Sequence, residues 1–314
     1  MPSLLLMLLT PAVARAACGG FDPQSQVQAP QAPVKPAPPP KVPPPPLFPK
    51  HRRGLYLNGL GLWVLDATPQ SPPLFTDDPG VPDKGVYEIN LTTDADASRD
   101  TKAFDLFLVD ANYGLVPSIL GRKIPTQLAF EVPASAAANS GHPFTAGLGA
   151  AEVGVKFNFY NSEHHSIEMS LYPKLEFTLG SSPVRKGLAA GGQTLSVPLL
   201  VSKDFKYVTV VVNGAVNTPL HDSDRHITGT FGVGVGLAVT RKLAAMAEIH
   251  SESRFDLAHD RLLTANVGLM RAVGHAVVLY ANVGRSLFSD DGLAHTYAGA
   301  GVKMLITPGV KTPR

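Results

Sequence analysis

Ile167-Glu168-Met169-Ser170-Leu171-Tyr172-Pro173-Lys174-Leu175-Glu176-Phe177-Thr178-Leu179 decides the reading of this chain, because an apolar side chain is followed by a polar one along almost its whole length. Successive side chains of a β-strand point to opposite faces. As a strand, the stretch therefore puts Ile167, Met169, Leu171, Leu175, Phe177 and Leu179 on an oily face, and Glu168, Ser170, Tyr172, Lys174, Glu176 and Thr178 on a wet one.

The same scheme continues outward in both directions. Val153, Val155, Phe157 and Phe159 oppose Glu152, Lys156 and Asn158, and further on Phe231, Val233, Val235, Leu237 and Val239 oppose Gly232, Gly234 and Gly236. About twelve such segments follow one another, at 86–94, 102–113, 124–132, 144–160, 166–180, 193–203, 206–217, 226–239, 243–256, 262–271, 276–287 and 294–306. Several exceed the five or six residues usual in a soluble sheet and match the roughly 9–11 that cross a bilayer at a tilt. After the first pair, the joints alternate long and short, the short ones falling at Lys203-Asp204, Arg241-Lys242 and Ala272 to His275 with its Gly274. Outer-membrane barrels show this asymmetry, with short periplasmic turns and longer extracellular loops. The fold expected is all-β: a closed antiparallel transmembrane β-barrel of about 12 strands over 86–306, both termini periplasmic. A soluble β-sandwich is the alternative, and it would need another cover for the oily rows.

Composition agrees with a membrane rather than an aqueous surface. Only 17% of the 314 residues are charged, against roughly 25% in soluble domains, and Gly and Pro number 29 each. Lys plus Arg total 27 against 25 for Asp plus Glu, a net of +2. No excess of positive charge tracks a phosphate backbone, so nucleic acid is excluded as an expected partner.

The N-terminal region supplies a compartment. The apolar run Leu4 to Leu9 is too short for a transmembrane helix and is followed by Ala14-Arg15-Ala16, so 1–16 reads as a signal peptide. Cys18, the only cysteine, follows Ala16-Ala17 as a lipobox cysteine would, but Arg15 stands where a lipobox carries a leucine-like residue. Residues 17–54 form a Pro-rich periplasmic linker, densest at Pro38 to Pro40 and Pro43 to Pro46; proline fixes φ and removes the N–H, so this is a spacer and not a core. Lys35, Lys41, Lys50, Arg52 and Arg53 in and after it suggest contact with peptidoglycan or lipid phosphate, and an unbound linker is the plainer reading. A pre-barrel segment at 55–85, with Tyr56 and the only tryptophan, Trp63, is open to three readings: a plug, an interfacial segment or an added strand. Residues 307–314 form a short C-terminal tail.

If the oily rows face lipid, the wet rows face a lumen. The candidate lumen-lining residues are Glu152, Lys156, Glu168, Tyr172, Lys174 and Glu176, with Glu248, His250, Glu252 and Arg254 from a later strand. Such groups either pair across the barrel and fill it or line a narrow path selective for charge and size. Both signs are present, which favours pairing. Thr76-Asp77-Asp78-Pro79-Gly80 reads as a structural turn, its aspartates able to hold nearby N–H groups and its Pro-Gly suited to a type II corner.

At Pro73 to Gly80, followed by Gly85-Val86-Tyr87-Glu88-Ile89-Asn90-Leu91, the chain resembles the outer-membrane β-barrel family known as the MetA-pathway of phenol degradation proteins, described as transporters. Asp110 to Leu115, Leu128 to Pro133, Gly147-Leu148-Gly149 with Glu152 to Lys156, and Tyr172 to Glu176 extend the resemblance over about 73–305. The Thr-Asp-Asp-Pro-Gly turn joined to the first strand is its most specific part. The resemblance implies a barrel and uptake of hydrophobic or aromatic compounds. The proline tether and the stretch from Gly54 to Pro73 depart from the family pattern, as does a last strand ending at Leu305-Ile306 without a terminal aromatic.

The function expected is an outer-membrane channel or facilitator for small solutes; the alternative is a non-conducting structural or cell-surface barrel tethered through its Pro-rich arm. Outer-membrane lipid and an unidentified solute are the expected partners, with no cofactor. His164-His165 and the run His221 to His226 lack metal-ligand spacing. No catalytic set is expected either: Ser251 adjoins His250, but strand neighbours point to opposite faces.

Overall fold

The computed structural model describes residues 55–57, 63–139, 144–162, 164–205, 208–220, 225–255, 259–274 and 276–308. The stretch 1–16 expected to be a signal peptide, Cys18, the Pro-rich stretch and most of the C-terminal tail lie outside the described residues.

Twelve antiparallel strands form one closed barrel. They are β1 (Tyr87–Ala97), β2 (Thr101–Leu115), β3 (Thr126–Asn139), β4 (Thr145–Leu148 resuming as Ala150–Ser162), β5 (Ile167–Leu171 resuming as Lys174–Thr178), β6 (Gln193–Asp204), β7 (Val208–Leu220), β8 (Thr228–Thr240), β9 (Leu243–Arg254), β10 (Leu262–Ala272), β11 (Val277–Ser289) and β12 (Thr296–Ile306). Each pairs with its neighbours in sequence. Closure is made by β12 against β1, in unbroken register from Thr296 opposite Ala97 to Ile306 opposite Tyr87. A ring has no free edge, so the strand N–H and C=O groups are satisfied without water.

Two strands expected to be continuous are interrupted, each for a local reason. β5 breaks at Tyr172-Pro173, since Pro173 has no N–H to give a ladder; its carbonyl still accepts from Val155 N at 3.0 Å, and Tyr172 N reaches Pro198 O at 2.9 Å. β4 breaks at Gly149, whose N–H turns to Pro133 O at 3.0 Å.

The two rims differ. At the terminal end, where β1 begins and β12 stops, the joints are 116–125, 163–166, 205–207, 241–242 and 273–276. At the far end they are 98–100, 140–144, 179–192 with a single helical turn α1 (Ser182–Arg185), 221–227, 255–261 and 290–295. Among the described residues no helix is long and apolar enough to cross a membrane; the strands do so instead.

Burial is inverted relative to a soluble protein. Leu128, Phe130, Val153, Leu195, Val197, Leu199, Val235, Leu237, Ile249, Val267, Leu269, Leu279 and Val283 stand exposed on the outer wall, while Glu88, Asn90, Lys156, Asn266, Thr264 and Lys303 are buried inside. Aromatic rings gather towards the rims. Tyr87 and Tyr113 lie 4.6 Å apart at the terminal end, Phe159, Tyr160 and Phe205 are exposed at the same rim, and Phe144, Phe255 and Phe288 are exposed at the far end. This is the banding of a transmembrane barrel.

The pre-barrel segment resolves into two parts. Leu55–Leu57 pairs antiparallel with Trp63–Leu65, and the chain then enters the barrel. Leu65 bonds through its N–H to Arg241 O at 2.8 Å and packs with Leu74 against Ala244, Met246, Met270, Ala272, Val278 and Tyr280. The apolar core of this protein therefore sits inside the barrel, on the β9 to β11 side of its terminal half.

Val267, midway along β10 and 55% exposed, supplies a test of the inverted burial. Val267→Arg is expected to lower the stability of the membrane-folded barrel by about 2–4 kcal/mol, measured by denaturant titration in phospholipid vesicles, whereas Val→Arg on a soluble surface would change little.

Candidate functional site

The Thr-Asp-Asp-Pro-Gly turn lies inside the barrel, where 66–83 forms a plug in the terminal half of the lumen. Space for it comes from β8. A Cβ at Gly234 would stand 2.7 Å from Pro69 Cβ, and one at Gly236 would collide with the carbonyl oxygen of Ala67. The glycines of the oily-and-bare strand are thus the wall against which the plug backbone rests.

Strand side chains hold the plug from several sides. From β9, the Glu248 carboxylate accepts the N–H groups of Phe75 at 2.9 Å and Thr76 at 2.7 Å, and also Asn266 Nδ2 at 2.6 Å. From β4, Lys156 donates to Asp77 Oδ2 and to the Asp78 carbonyl, each at 2.9 Å, and lies over the Tyr172 ring at 4.7 Å. Asn158 and Ser170 both donate to the Pro79 carbonyl. From β12, Lys303 pairs with Glu88 at 3.1 Å and donates to Gln70. Lys156 and Lys303 are 0% exposed. An ammonium withdrawn this far from water persists only where carboxylates and carbonyls replace its hydration, supplied by the turn for Lys156 and by Glu88 and Gln70 for Lys303.

The rest of the lumen is hollow. A cavity of about 350 Å³ runs from Arg225, Asn217 and Thr228 near the far rim down to Phe75, and is walled by Glu152, Lys174, Glu176, His250 and Glu252. A second, of about 360 Å³, lies on the other side of Phe75 against Asp94, Asp105, Ser135 and Tyr297. Phe75, at the apex of the plug and 45% exposed, separates the two, tilted on His250 at 5.3 Å and edge-on to Tyr297 at 5.5 Å.

The lumen candidates named from the sequence divide between these regions. Lys156, Glu168 and Glu248 belong to the buried plug network, Glu168 accepting from Asn158 and Asn161. Tyr172, Lys174, Glu152, Glu176, His250 and Glu252 line the first cavity, with Lys174 paired to Glu152 at 3.0 Å. Arg254 stands at the far rim on Asp260 at 2.6 Å. Not singled out from the sequence are Glu88, Asn90, Asp94, Asp105, Asp110, Glu131 and Lys303. All but Asp105 share the inward parity of their strands, and Glu131 between Phe130 and Val132 carries that signal; Asp105 is brought inward against the parity of Asp110 by the register shift between Asp105 and Phe107, and the company of them all depends on cross-strand register. Among the described residues no group of three or more His, Cys, Asp or Glu is placed to hold a metal ion. His164 and His165 lie ring to ring at 4.6 Å in a terminal-end turn. The stretch 221–224 lies outside the described residues.

At the far rim His295 joins β12 to the loop before it. Its Nδ1 meets Asp96 Oδ1 at 3.1 Å and its Nε2 meets Asp291 Oδ2 at 3.0 Å. A neutral imidazole has one N–H, so two facing acceptors select the imidazolium. The bond to Asp291, aided by Asp96, raises the pKa of His295 above its ordinary 6.5, while the Ser289 hydroxyl and then His295 hold Asp291 down to about 2.

No family model matches the chain, and no curated protein matches it. Among solved structures it is similar to the NanC porin (8% identity, 69% of this chain and 98% of that one, TM-score 0.46), to the KdgM porin (9%, 68% and 98%, 0.42) and to the outer membrane phospholipase of Salmonella typhi (12%, 69% and 90%, 0.42). The fold assignment stands on the closed register and the inverted burial: the chain is an outer-membrane-type β-barrel.

Two outcomes follow. Gly236→Val is expected to expel the plug and leave the barrel intact, so that protease cuts within 66–83 in the variant and spares it in the parent, both keeping heat-modifiable gel mobility. For His295 the folded-state pKa is the higher, so its stabilisation of the rim is complete below 6.5 and is lost as pH rises through the raised value. After division by the intrinsic exchange rate at each pH, amide protection in 290–295 should be greater near about pH 5 than near about pH 9, and His295→Gln should remove that difference in protection.

Proposed function

We propose that this chain is an outer-membrane facilitator for small solutes, in which the hollow half of the lumen receives the solute and the 66–83 plug sets whether it passes. On this reading the terminal end faces the periplasm, 1–16 directs export, and 17–54 tethers the barrel, its basic residues meeting peptidoglycan. The observation that carries the reading is the cavity above Phe75. Its volume, about 350 Å³, lies in the range of small-molecule sites, and its walls are polar and charged, as a water-filled entry requires. The hydrophobic or aromatic solutes implied by the family resemblance would find apolar surface there in the exposed ring of Phe75, with Pro198, Leu200 and Ala215 also in the wall.

A non-conducting, cell-surface barrel is the second reading, and the dry packing around Lys156 and Lys303 supports it. The plug clasp separates the two. Removing one partner of a buried ion pair costs about 3–5 kcal/mol, which raises the displaced-plug population by about two orders of magnitude or more. Lys156→Met is therefore expected to increase single-channel conductance in planar bilayers and solute flux into liposomes. A barrel that stays sealed in both parent and variant overturns the facilitator reading in favour of the second.

A further inference from the structure

We infer that the lumen is built for cations, so that the solute admitted by this barrel is a small positively charged molecule of the organic ammonium class. The inference rests on the facilitator reading above and narrows it.

The observation is a ladder of carboxylates that only strand register reveals. Asp110 on β2 lies directly opposite Glu131 on β3, Glu131 opposite Glu152 on β4, and Glu152 opposite Glu176 on β5. Like charges facing each other across antiparallel strands are destabilising, and a barrel wall has no structural use for four in a row. The ladder climbs from the plug network, where Asn90 and Asn112 each donate to Asp110 at 2.8 Å, to the wall of the first cavity. Lys174 is bound to Glu152, but Glu131, the second rung, has no hydrogen bond or ion pair among the described residues. At the foot of the same row Asn90 is fully buried and its Oδ1 accepts no hydrogen bond, an acceptor left over beside the acids.

The second cavity repeats the pattern independently. Asp94 and Asp105 are again direct cross-strand partners, on β1 and β2. Asp105 accepts from Ser135 at 2.6 Å, whereas Asp94 has no hydrogen-bond or ion-pair partner among the described residues. The rings of Phe75 and Tyr297 border the same cavity, and an aromatic face attracts a cation. Carboxylates together with ring faces recognise an ammonium group; a multivalent metal would call for the grouped ligands that the described residues lack. The cation that closes the far rim of the first cavity is occupied, Arg225 donating to Gly191 O and Thr194 Oγ1, each at 2.9 Å. In a cleft with low-dielectric walls this surplus of one sign concentrates counter-ions and repels anions, phenolates included.

The test is the reversal potential of the reconstituted barrel in a potassium chloride gradient, with binding of tetramethylammonium to the purified protein in detergent, followed by equilibrium dialysis, as a second readout. Cation preference by several-fold, falling toward unity in Glu131→Gln and in Glu152→Gln, is the expected result, with tetramethylammonium binding weakened in Asp94→Asn. Glu131→Gln keeps size and removes only the ionisable carboxyl, so heat-modifiable mobility should be unchanged. Conductance without cation preference overturns the inference and leaves the facilitator reading standing. An absence of conductance removes the facilitator reading instead, and dialysis then decides: tetramethylammonium bound by the parent and lost in the variants upholds a cation site, and no binding overturns it.

Discussion

Hydrocarbon offers a backbone no hydrogen-bond partner, and the rest of this structure follows from that constraint. Every strand must find both neighbours, so β12 closes on β1 and the sheet has an inside and an outside rather than two edges. Once the ring is closed, parity along each strand does the sorting. Val267 and Leu269 go to lipid, and Asn266 on the same strand goes inward to Glu248. The hydrophobic effect, which in a soluble domain would have collapsed the oily rows together, here leaves them spread over the outer wall and confines a small apolar core to the lumen around Leu65, Leu74 and Met270.

The interior then has to solve the opposite problem. Lysines and carboxylates that face inward from a narrow barrel cannot all be hydrated, and the terminal half satisfies them with another piece of the same chain. Each contact in the clasp is a match of donor to acceptor. Glu248 takes two successive backbone N–H groups, Lys156 takes a carboxylate and a carbonyl, and Asn158 and Ser170 share the Pro79 carbonyl. The type II corner expected at Pro79-Gly80 is not formed, since Gly80 does not take the positive φ that such a corner needs; the Pro79 carbonyl is held to the wall by Asn158 and Ser170. The glycines of β8 do the complementary job by leaving room.

The two halves of the lumen therefore follow different electrostatic rules. In the plugged half opposite charges alternate, Lys156 with Asp77 and Lys303 with Glu88, and pairing is a sufficient account of them. In the hollow half like charges stack, as in the ladder through Glu131 and the pair Asp94 and Asp105. Phe75 stands at the boundary between the two.

Much of this was legible in the linear chain. Alternation from Glu168 to Thr178 is a property of neighbouring residues, and joints such as Arg241-Lys242 are local too, so the sequence by itself determined a barrel of twelve strands, which rows are oily, and that Glu152, Lys174 and Glu252 belong to a wet face. It also singled out the Thr76 to Gly80 turn as structural. It left 55–85 undecided among plug, interface and strand, and it did not bring Glu131 together with Asp110 and Glu152 or Lys303 with Gln70, residues separated by as much as most of the chain. Parity tells each side chain which face it takes, but its companions on that face are chosen by register and by what fills the lumen, and those are fixed only when the ring closes.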